Sequence, residues 1–361
     1  MTRISKKAKI LASLMAISVI PMMAGCGGNA SSQVSSQTAA STPVSENSSV
    51  KENSEAAAAN ATYTIKLANV SNPDDNCVIA FYQFKQMVEE KTGGDVAVEV
   101  YHSGQLGAQR DYFEGMQMGS IQAAEINTAV LSAFDPKFMV FDLPYSSKSV
   151  ADLQSKLDSG IGQDLSDSLE EKSGVKIIGW MIRSPRILYN SLRPVVTADD
   201  FAGMKIRIME SPVMSRTFEL LGAVPVPLAA SERYMALQTG VVDGAENSIG
   251  IIRAEKEYEV TKYVSLTEHF ITPNVIAISS KYLESLPEDY RQIILDSAKE
   301  AAAYATELDE ASVQTAISQL KSLGMEINEC PDKSSFIGKV SPLYEDYRDE
   351  IGGDIIDAFL K

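Results

Sequence analysis

The feature that most constrains the fold is a regular alternation of strand-like and helix-like segments from residue 63 onward. Strands are predicted where apolar and polar side chains alternate or where short apolar runs occur, at residues 63–68, 95–101, 121–126, 138–143, 175–182, 186–191, 204–208, 223–228 and 275–279. Helices are predicted from helical spacing at residues 78–90, 108–119, 150–173, 211–221, 231–238 and 288–323. This alternation predicts parallel sheets covered by helices, with ligands at the carboxyl ends of the strands. Two sheets from one chain would leave a cleft between domains, which favours a small-molecule site.

The charge balance limits the classes of partner. The chain of 361 residues carries 32 Lys and Arg against 48 Asp and Glu, a net charge of −16. A nucleic-acid-binding protein normally has a basic surface, so we predict no nucleic-acid partner. An anionic ligand would need local cations, because the overall field repels it.

Histidine and cysteine are too scarce for a common metal motif. The chain has two histidines and three cysteines, with no C-x-x-C spacing, and we predict no metal site and no cofactor. Cys77 and Cys330 could pair in an oxidising compartment, but two separate buried thiols are the favoured interpretation.

The first sixty residues have the pattern of an export signal followed by a tether. Cations among residues 3–9 precede an apolar stretch over residues 10–20 that is too short to span a membrane. The small residues before Cys26 resemble the lipobox of bacterial lipoproteins, which implies a signal peptide over residues 1–25 and lipidation of Cys26. An ordinary cleaved signal with a chance cysteine is the alternative. Residues 26–61 are predicted to be a flexible linker because they lack aromatic residues and cannot bury a core.

Motifs typical of enzymes are missing from the sequence. It contains no G-x-S-x-G, no H-E-x-x-H and no G-x-x-x-x-G-K-[ST]. Asp243 and Glu246 lie three residues apart and could form an acid–base couple, although Asp-Gly is more often a turn. We therefore predict that the protein is not an enzyme. A tethered extracellular enzyme that uses these two carboxylates is the alternative.

A series of motifs in fixed order gives the most specific information. They read D-F-A-G-M-K-I-R over residues 200–207, L-G-A-V-P-V-P over 221–227, S-E-R-Y-M-A-L-Q over 231–238 and D-G-A-E-N over 243–247. In this order they resemble the DctP-type solute-binding proteins of TRAP (tripartite ATP-independent periplasmic) transporters. The resemblance extends over about residues 62–350 and includes G-Q-L-G and F-D-L-P-Y upstream.

The resemblance implies a fold, a partner and a location. The fold would be α/β, two-domain and periplasmic-binding-protein-like (type II), with a ligand cleft between the domains and closure about a hinge. Residues 62–184 and 273–312 would form domain I, and residues 185–272 and 313–361 domain II. Such a protein, expected to be a monomer lipid-anchored at the extracellular face of the cytoplasmic membrane, would deliver a small organic acid anion to the membrane subunits of a TRAP permease. A ligand-sensing component of a receptor is the alternative.

The same resemblance assigns ligand-binding residues. Arg207 falls on the family arginine that pairs with the ligand carboxylate, and a planar guanidinium suits that role because it offers two parallel donors. Arg186 falls near a second ligand-binding arginine, with Arg183 as its rival. Asn247 falls on a family asparagine that bonds the ligand, and Asn127 falls at a ligand-facing position.

One departure from the family pattern bears on the ligand. Ala230 stands where relatives often carry an aromatic or bulkier residue that faces the ligand. A smaller side chain would widen the pocket. The predicted ligand is therefore a sugar acid such as a hexuronate or aldonate, with a C4-dicarboxylate next.

Overall fold

The computed structural model describes residues 61–361, in which eleven strands form two sheets. The predicted signal peptide (residues 1–25), the lipidated Cys26 and nearly all of the linker lie outside the described residues. The strands are β1 (Tyr63–Ala68), β2 (Val96–Tyr101), β3 (Ala123–Asn127), β4 (Val175–Met181), β5 (Arg186–Asn190), β6 (Lys205–Ile208), β7 (Val224–Pro227), β8 (Gly244–Asn247), β9 (Tyr263–Phe270), β10 (Asn274–Ser279) and β11 (Glu326–Glu329).

Both sheets are mixed rather than parallel, which corrects the prediction from the alternation. The first sheet has the order β2-β1-β3-β10-β4, and β10 runs antiparallel to both of its neighbours. The second sheet has the order β11-β9-β5-β8-β6-β7, and β5 runs antiparallel to β8 and β9. The remaining pairs are parallel, as predicted. The first sheet uses strands from residues 63–181 and 274–279 and the second uses the others; the domain boundaries themselves stay a prediction.

Helices cover the sheets and follow the predicted positions closely, apart from one interruption. They are α1 (Asn76–Lys91), α2 (Gln109–Met118), α3 (Thr128–Leu131), α4 (Val150–Lys156), α5 (Gly162–Ser173), α6 (Pro212–Leu221), α7 (Arg233–Gln238), α8 (Ile249–Ala254), α9 (Ser280–Ser285), α10 (Glu288–Ser322), α11 (Ser334–Val340), α12 (Leu343–Asp346), α13 (Arg348–Ile351) and α14 (Gly353–Phe359). In the described part of the chain, no helix combines the length and the apolarity that crossing a membrane requires.

Two predicted elements were wrong. The segment predicted as a strand at 138–143 is a 3-10 helix over Pro136–Asp142, started by the Asp135 carboxylate, which accepts from the Lys137 N–H at 3.1 Å. Its apolar run is buried all round, and such a run has no period that distinguishes strand from helix. The long helix predicted at 150–173 is broken between α4 and α5, where Gly160 has φ 111°, a conformation that favours glycine.

The apolar interior joins the two sheets. One core cluster contains Ala124 and Val275 of the first sheet together with Leu188 and Ile206 of the second. The long helix α10 packs against α1, β4 and α8. Cys77 and Cys330 are both buried free thiols, which confirms the favoured interpretation.

Candidate ligand-binding site

A cavity of about 260 Å³ lies between the two sheets, at the edges where their parallel strands end. We call its two sides the first wall and the second wall. The first wall includes Asn72, Gln109, Glu125, Asn127, Arg183 and Asn274, which lie in or just beside the first sheet. The second wall includes Arg186, Arg207, Arg233, Asn247, Glu255 and Glu257, which lie in or beside the second sheet.

Two of the four buried arginines at the cavity are held by carboxylates in a fork-to-fork arrangement. Nη1 and Nη2 of Arg183 donate to the two carboxylate oxygens of Asp75 at 3.0 and 2.9 Å. Nη2 of Arg186 donates to Oε1 of Glu246 at 2.8 Å, and its Nε donates to Oε2. Burial raises the pKa of Glu246, but Arg186 and His269 outweigh it and lower this pKa to about 2. Both guanidinium charges are therefore compensated inside the protein.

A third arginine is paired and the fourth is not. Nε of Arg233 donates to Glu257, and both side chains are buried. Arg207 on β6 is 1% exposed, and its Nε and Nη2 donate to the carbonyl oxygen of Leu228 at 3.0 and 2.6 Å. Of the four arginines buried in residues 61–361, Arg207 alone has no carboxylate within 4.0 Å.

The electrostatic consequence is a free positive charge in the cavity. Burial is the main cause that lowers the pKa of Arg207, to about 9, and the neighbouring Arg233 adds to it. The guanidinium is still charged at neutral pH. An anion that enters the cavity would pair with this guanidinium and remove the free-energy cost of a buried, unpaired charge.

Asn247, at the end of β8, presents an unused donor beside Arg186. Its Oδ1 accepts from Nη1 of Arg186 at 3.2 Å and from the Ser248 N–H at 2.9 Å. No acceptor among the described residues takes its Nδ2 hydrogens. Those hydrogens can therefore bind a ligand oxygen.

The first wall contains a chain of side-chain amides that ends on Glu125. Oδ1 of Asn127 accepts from the Ala129 N–H at 2.9 Å, and its Nδ2 donates to Oδ1 of Asn274 at 2.5 Å. Nδ2 of Asn274 donates to Oε1 of Glu125. On the other side, Oε1 of Gln109 accepts from the Asn127 N–H at 3.2 Å, and its Nε2 donates to Oε2 of Glu125 at 3.2 Å.

The two walls are joined at the rim of the cavity by Asn72 and Glu255. The backbone N–H of Asn72 donates to Oε1 of Glu255 at 2.9 Å, and its Nδ2 donates to Oε2 at the same distance. Nδ2 also donates to the carbonyl of Ala254 at 3.1 Å. This contact connects the loop after β1 with the end of α8.

The residues predicted from the sequence meet in one place. Arg207, Arg186, Asn247 and Asn127 all line the cavity, and so does Arg183, the rival of Arg186. Their roles toward a ligand stay a prediction.

Sequence reasoning missed other lining residues, and four of them carry a charge: Glu125, Arg233, Glu255 and Glu257. Arg233 lies inside the S-E-R-Y motif, and Glu125 is an acid within the otherwise buried strand β3. For Glu125, the available signal was a charged residue in a buried strand. In the part of the chain that the structure describes, no group of three or more His, Cys, Asp or Glu is placed to hold a metal ion.

The fold and this cavity together define a class: a two-sheet α/β protein that binds a small solute between its sheets. The sequence profile of the bacterial extracellular solute-binding protein family 7, DctP, matches residues 67–350. The chain belongs to this family, which confirms the resemblance. The family is extracellular, and its members serve transport by binding solutes.

Relatives of known structure share the architecture. A solute-binding protein of Chromohalobacter salexigens is 36% identical over 271 residues, which are 75% of this chain and 80% of the relative. The crystal structure of a TRAP periplasmic solute-binding protein from Chromohalobacter salexigens with bound D-glucuronate is 34% identical, has a TM-score of 0.78 and covers 81% of this chain and 99% of that one. The corresponding structure from a Sulfitobacter species with bound β-D-galacturonate is 31% identical, with a TM-score of 0.79 and coverage of 82% and 99%.

Proposed function

We propose that this protein captures a sugar-acid anion outside the cytoplasm and delivers it to the membrane subunits of a TRAP permease. The observation that carries the proposal is Arg207, the buried arginine without a carboxylate partner in a cavity between two sheets. The two structurally similar proteins hold D-glucuronate and β-D-galacturonate, which supports a sugar acid for this chain as well.

The remaining hydrogens of Arg207 determine how the carboxylate binds. Nε and Nη2 each give a hydrogen to the Leu228 carbonyl, so both hydrogens of Nη1 and the second hydrogen of Nη2 are left. These donors form a fork that a carboxylate accepts with both oxygens. Nδ2 of Asn247 and Nη1 of Arg186 donate to other ligand oxygens. Asn127 contributes its one spare Nδ2 hydrogen, because Asn274 takes the other.

A binding role is preferred over catalysis because the candidate acid–base couple does not face the cavity. Oδ2 of Asp243 accepts from the Lys205 N–H at 2.8 Å and thus connects the start of β6 with the turn before β8. Both carboxylate oxygens of Glu246 accept hydrogen bonds from Arg186. Neither carboxylate lines the cavity. We therefore propose that the protein is not an enzyme.

Anchoring and hinge motion complete the proposal. Lipidated Cys26 would hold the protein at the outer face of the cytoplasmic membrane, with residues 26–61 as its tether. Domain I (62–184 and 273–312) and domain II (185–272 and 313–361) would close about the ligand by rotation at a hinge.

A thermal-shift screen of the full chain tests the proposal. The acids are D-glucuronate, D-galacturonate, D-gluconate, succinate and L-malate. A ligand at about 100 times its Kd adds about 2.7 kcal/mol of stability, which corresponds to a rise in Tm of about 5–10 °C. Calorimetry on Arg207→Lys, which keeps the charge but loses the fork, is expected to show at least about tenfold weaker binding. No shift with any acid would refute the function, and unchanged affinity of Arg207→Lys would refute the assigned role.

A further inference from the structure

The orientation of the amides around Glu125 is fixed by two backbone N–H groups. The Ala129 N–H requires an oxygen from Asn127, and the Asn127 N–H requires an oxygen from Gln109. With the oxygens held in this way, Nδ2 of Asn127 points toward Asn274 and Nε2 of Gln109 points toward Glu125. Both chains of amides therefore end with a donor aimed at Glu125. Neither amide that contacts Glu125 can reverse without breaking a bond further back. Glu125 consequently acts as an acceptor on both oxygens.

This arrangement suits an ionised carboxylate, although burial opposes the charge. Glu125 is 1% exposed, and burial raises its pKa to about 7, while Arg183 lowers it and Asp75 and Glu255 raise it. Arg183 cannot neutralise Glu125 fully because its two Nη groups are held by Asp75. The first wall thus presents acceptor lone pairs and negative charge to the cavity, opposite in character to Arg207 on the second wall.

Of the four buried arginines that line the cavity, one is free to pair with a ligand carboxylate, and the lining also contains the acids Glu125 and Glu255. Three of the four buried arginines are compensated by their own carboxylates, so Arg207 supplies one unpaired positive charge. We infer that Glu125 selects polyhydroxylated monocarboxylates: it accepts hydrogen bonds from ligand hydroxyls at the first wall and rejects a second carboxylate there. This inference rests on the proposed function and narrows its ligand class to uronates and aldonates, with aldarates excluded.

A second carboxylate of the ligand would be rejected because it would meet the carboxylate of Glu125. A hydroxyl donates to Glu125 and satisfies its lone pairs, whereas a carboxylate offers only further lone pairs. Two carboxylates in contact cannot both ionise without a large penalty, and like charges in an interface cost several kcal/mol. Arg207 and Glu125 line the same cavity, so we assign the far carboxylate of an aldarate bound through Arg207 to the wall that contains Glu125. We expect it to bind at least about 100-fold more weakly than the matching monoacid.

The test compares matched ligands on matched variants. D-gluconate and D-glucarate differ only in the terminal carbon, and D-glucuronate and D-galacturonate extend the monoacid set. Calorimetry is performed at pH 8 on the full chain and on Glu125→Gln, Glu125→Ala and the control Glu210→Gln, which removes an exposed carboxylate close to the cavity. Glu125→Ala is included because glutamine would turn a donor toward one of the two donors that hold Glu125. Circular dichroism verifies that each variant is folded.

We expect the parent chain to bind the monoacid more tightly than D-glucarate. The ratio of these two affinities is expected to fall at least about tenfold in Glu125→Gln or Glu125→Ala and to stay unchanged in Glu210→Gln. Equal affinity of the parent chain for a monoacid and D-glucarate would overturn this inference and leave the proposed function intact. The same holds if the ratio is unchanged in both Glu125 variants. If no sugar acid binds the parent chain, the proposed function fails and the inference fails with it.

Discussion

Arg207 and Arg233 provide a matched pair for which the same substitution is expected to have different effects. Both are buried arginines of the second wall, but only Arg233 has a carboxylate partner, Glu257. Arg233→Met leaves a buried carboxylate unpaired, which is expected to lower the free energy of unfolding by about 3–5 kcal/mol. Arg207→Met leaves no charge behind.

The magnitude for Arg207 follows from its environment. The lowering of its pKa from 12.5 to about 9 corresponds to an unfavourable charge burial of roughly 5 kcal/mol. Two charge-assisted hydrogen bonds to the Leu228 carbonyl offset it by about 1.5–3 kcal/mol each. The free energy of unfolding of Arg207→Met is therefore expected to stay within about 2 kcal/mol of the parent value. Sugar-acid affinity is expected to fall at least about 100-fold, because the ligand carboxylate loses its charge partner.

Urea denaturation without added ligand measures both variants. The fluorescence of Trp180, the one tryptophan in the sequence, reports unfolding because its ring packs against Phe138 and Phe141. If Arg207→Met lost as much stability as Arg233→Met, Arg207 would be a structural cation with a partner inside the protein. Its charge would then not be free to attract a ligand.

Three further predictions concern the same cavity. Asn72→Ala is expected to speed ligand dissociation in stopped-flow experiments about tenfold, because the two hydrogen bonds that Nδ2 donates to Glu255 and to the Ala254 carbonyl are lost. Asn76→Ala, outside the cavity, leaves the rate unchanged. Glu246→Gln is expected to lower the free energy of unfolding at pH 7 by about 3–5 kcal/mol. The difference in stability between parent and variant narrows as the pH falls through about 2, where the parent carboxylate is protonated, and a constant difference would contradict the ion pair. Between about pH 4.5 and 7 Glu125 holds its proton more tightly in the folded than in the unfolded chain, so the stability that it contributes falls as the pH rises through that window. In urea denaturation, the free energy of unfolding of Glu125→Gln should therefore depend less on pH than that of the parent.

The sequence predicted most elements but not the direction of all strands. Alternation depends on local side chains, and these look the same in a parallel and an antiparallel strand. The reversal of β10 depends on where the chain re-enters the first sheet after residue 270, which is a long-range property. The break at Gly160 was also invisible, because a single glycine inside helical spacing is compatible with an unbroken helix.

The sequence predicted those residues of the candidate site that belong to a recognisable motif. Arg207 follows from the ordered motifs, and the structure adds what no motif contains, namely that this arginine lacks a partner. The pairing of Arg233 with Glu257 depends on side chains from different segments. The environment of Glu125 depends on Asn274, which is 149 residues away in the chain. Such contacts exist only after both sheets have assembled.

The central position of β10 has a consequence for how the chain acquires its structure. This strand separates β3 from β4, yet it is synthesised after β5 to β9, which belong to the other sheet. A growing polypeptide that stops short of residue 274 leaves β3 and β4 with facing edges and nothing to bridge them. The first sheet must therefore wait for late residues, and an amino-terminal fragment ending at β4 is expected to stay unfolded and sensitive to proteases. Such delayed assembly keeps the polypeptide unfolded until the residues of β10 are available.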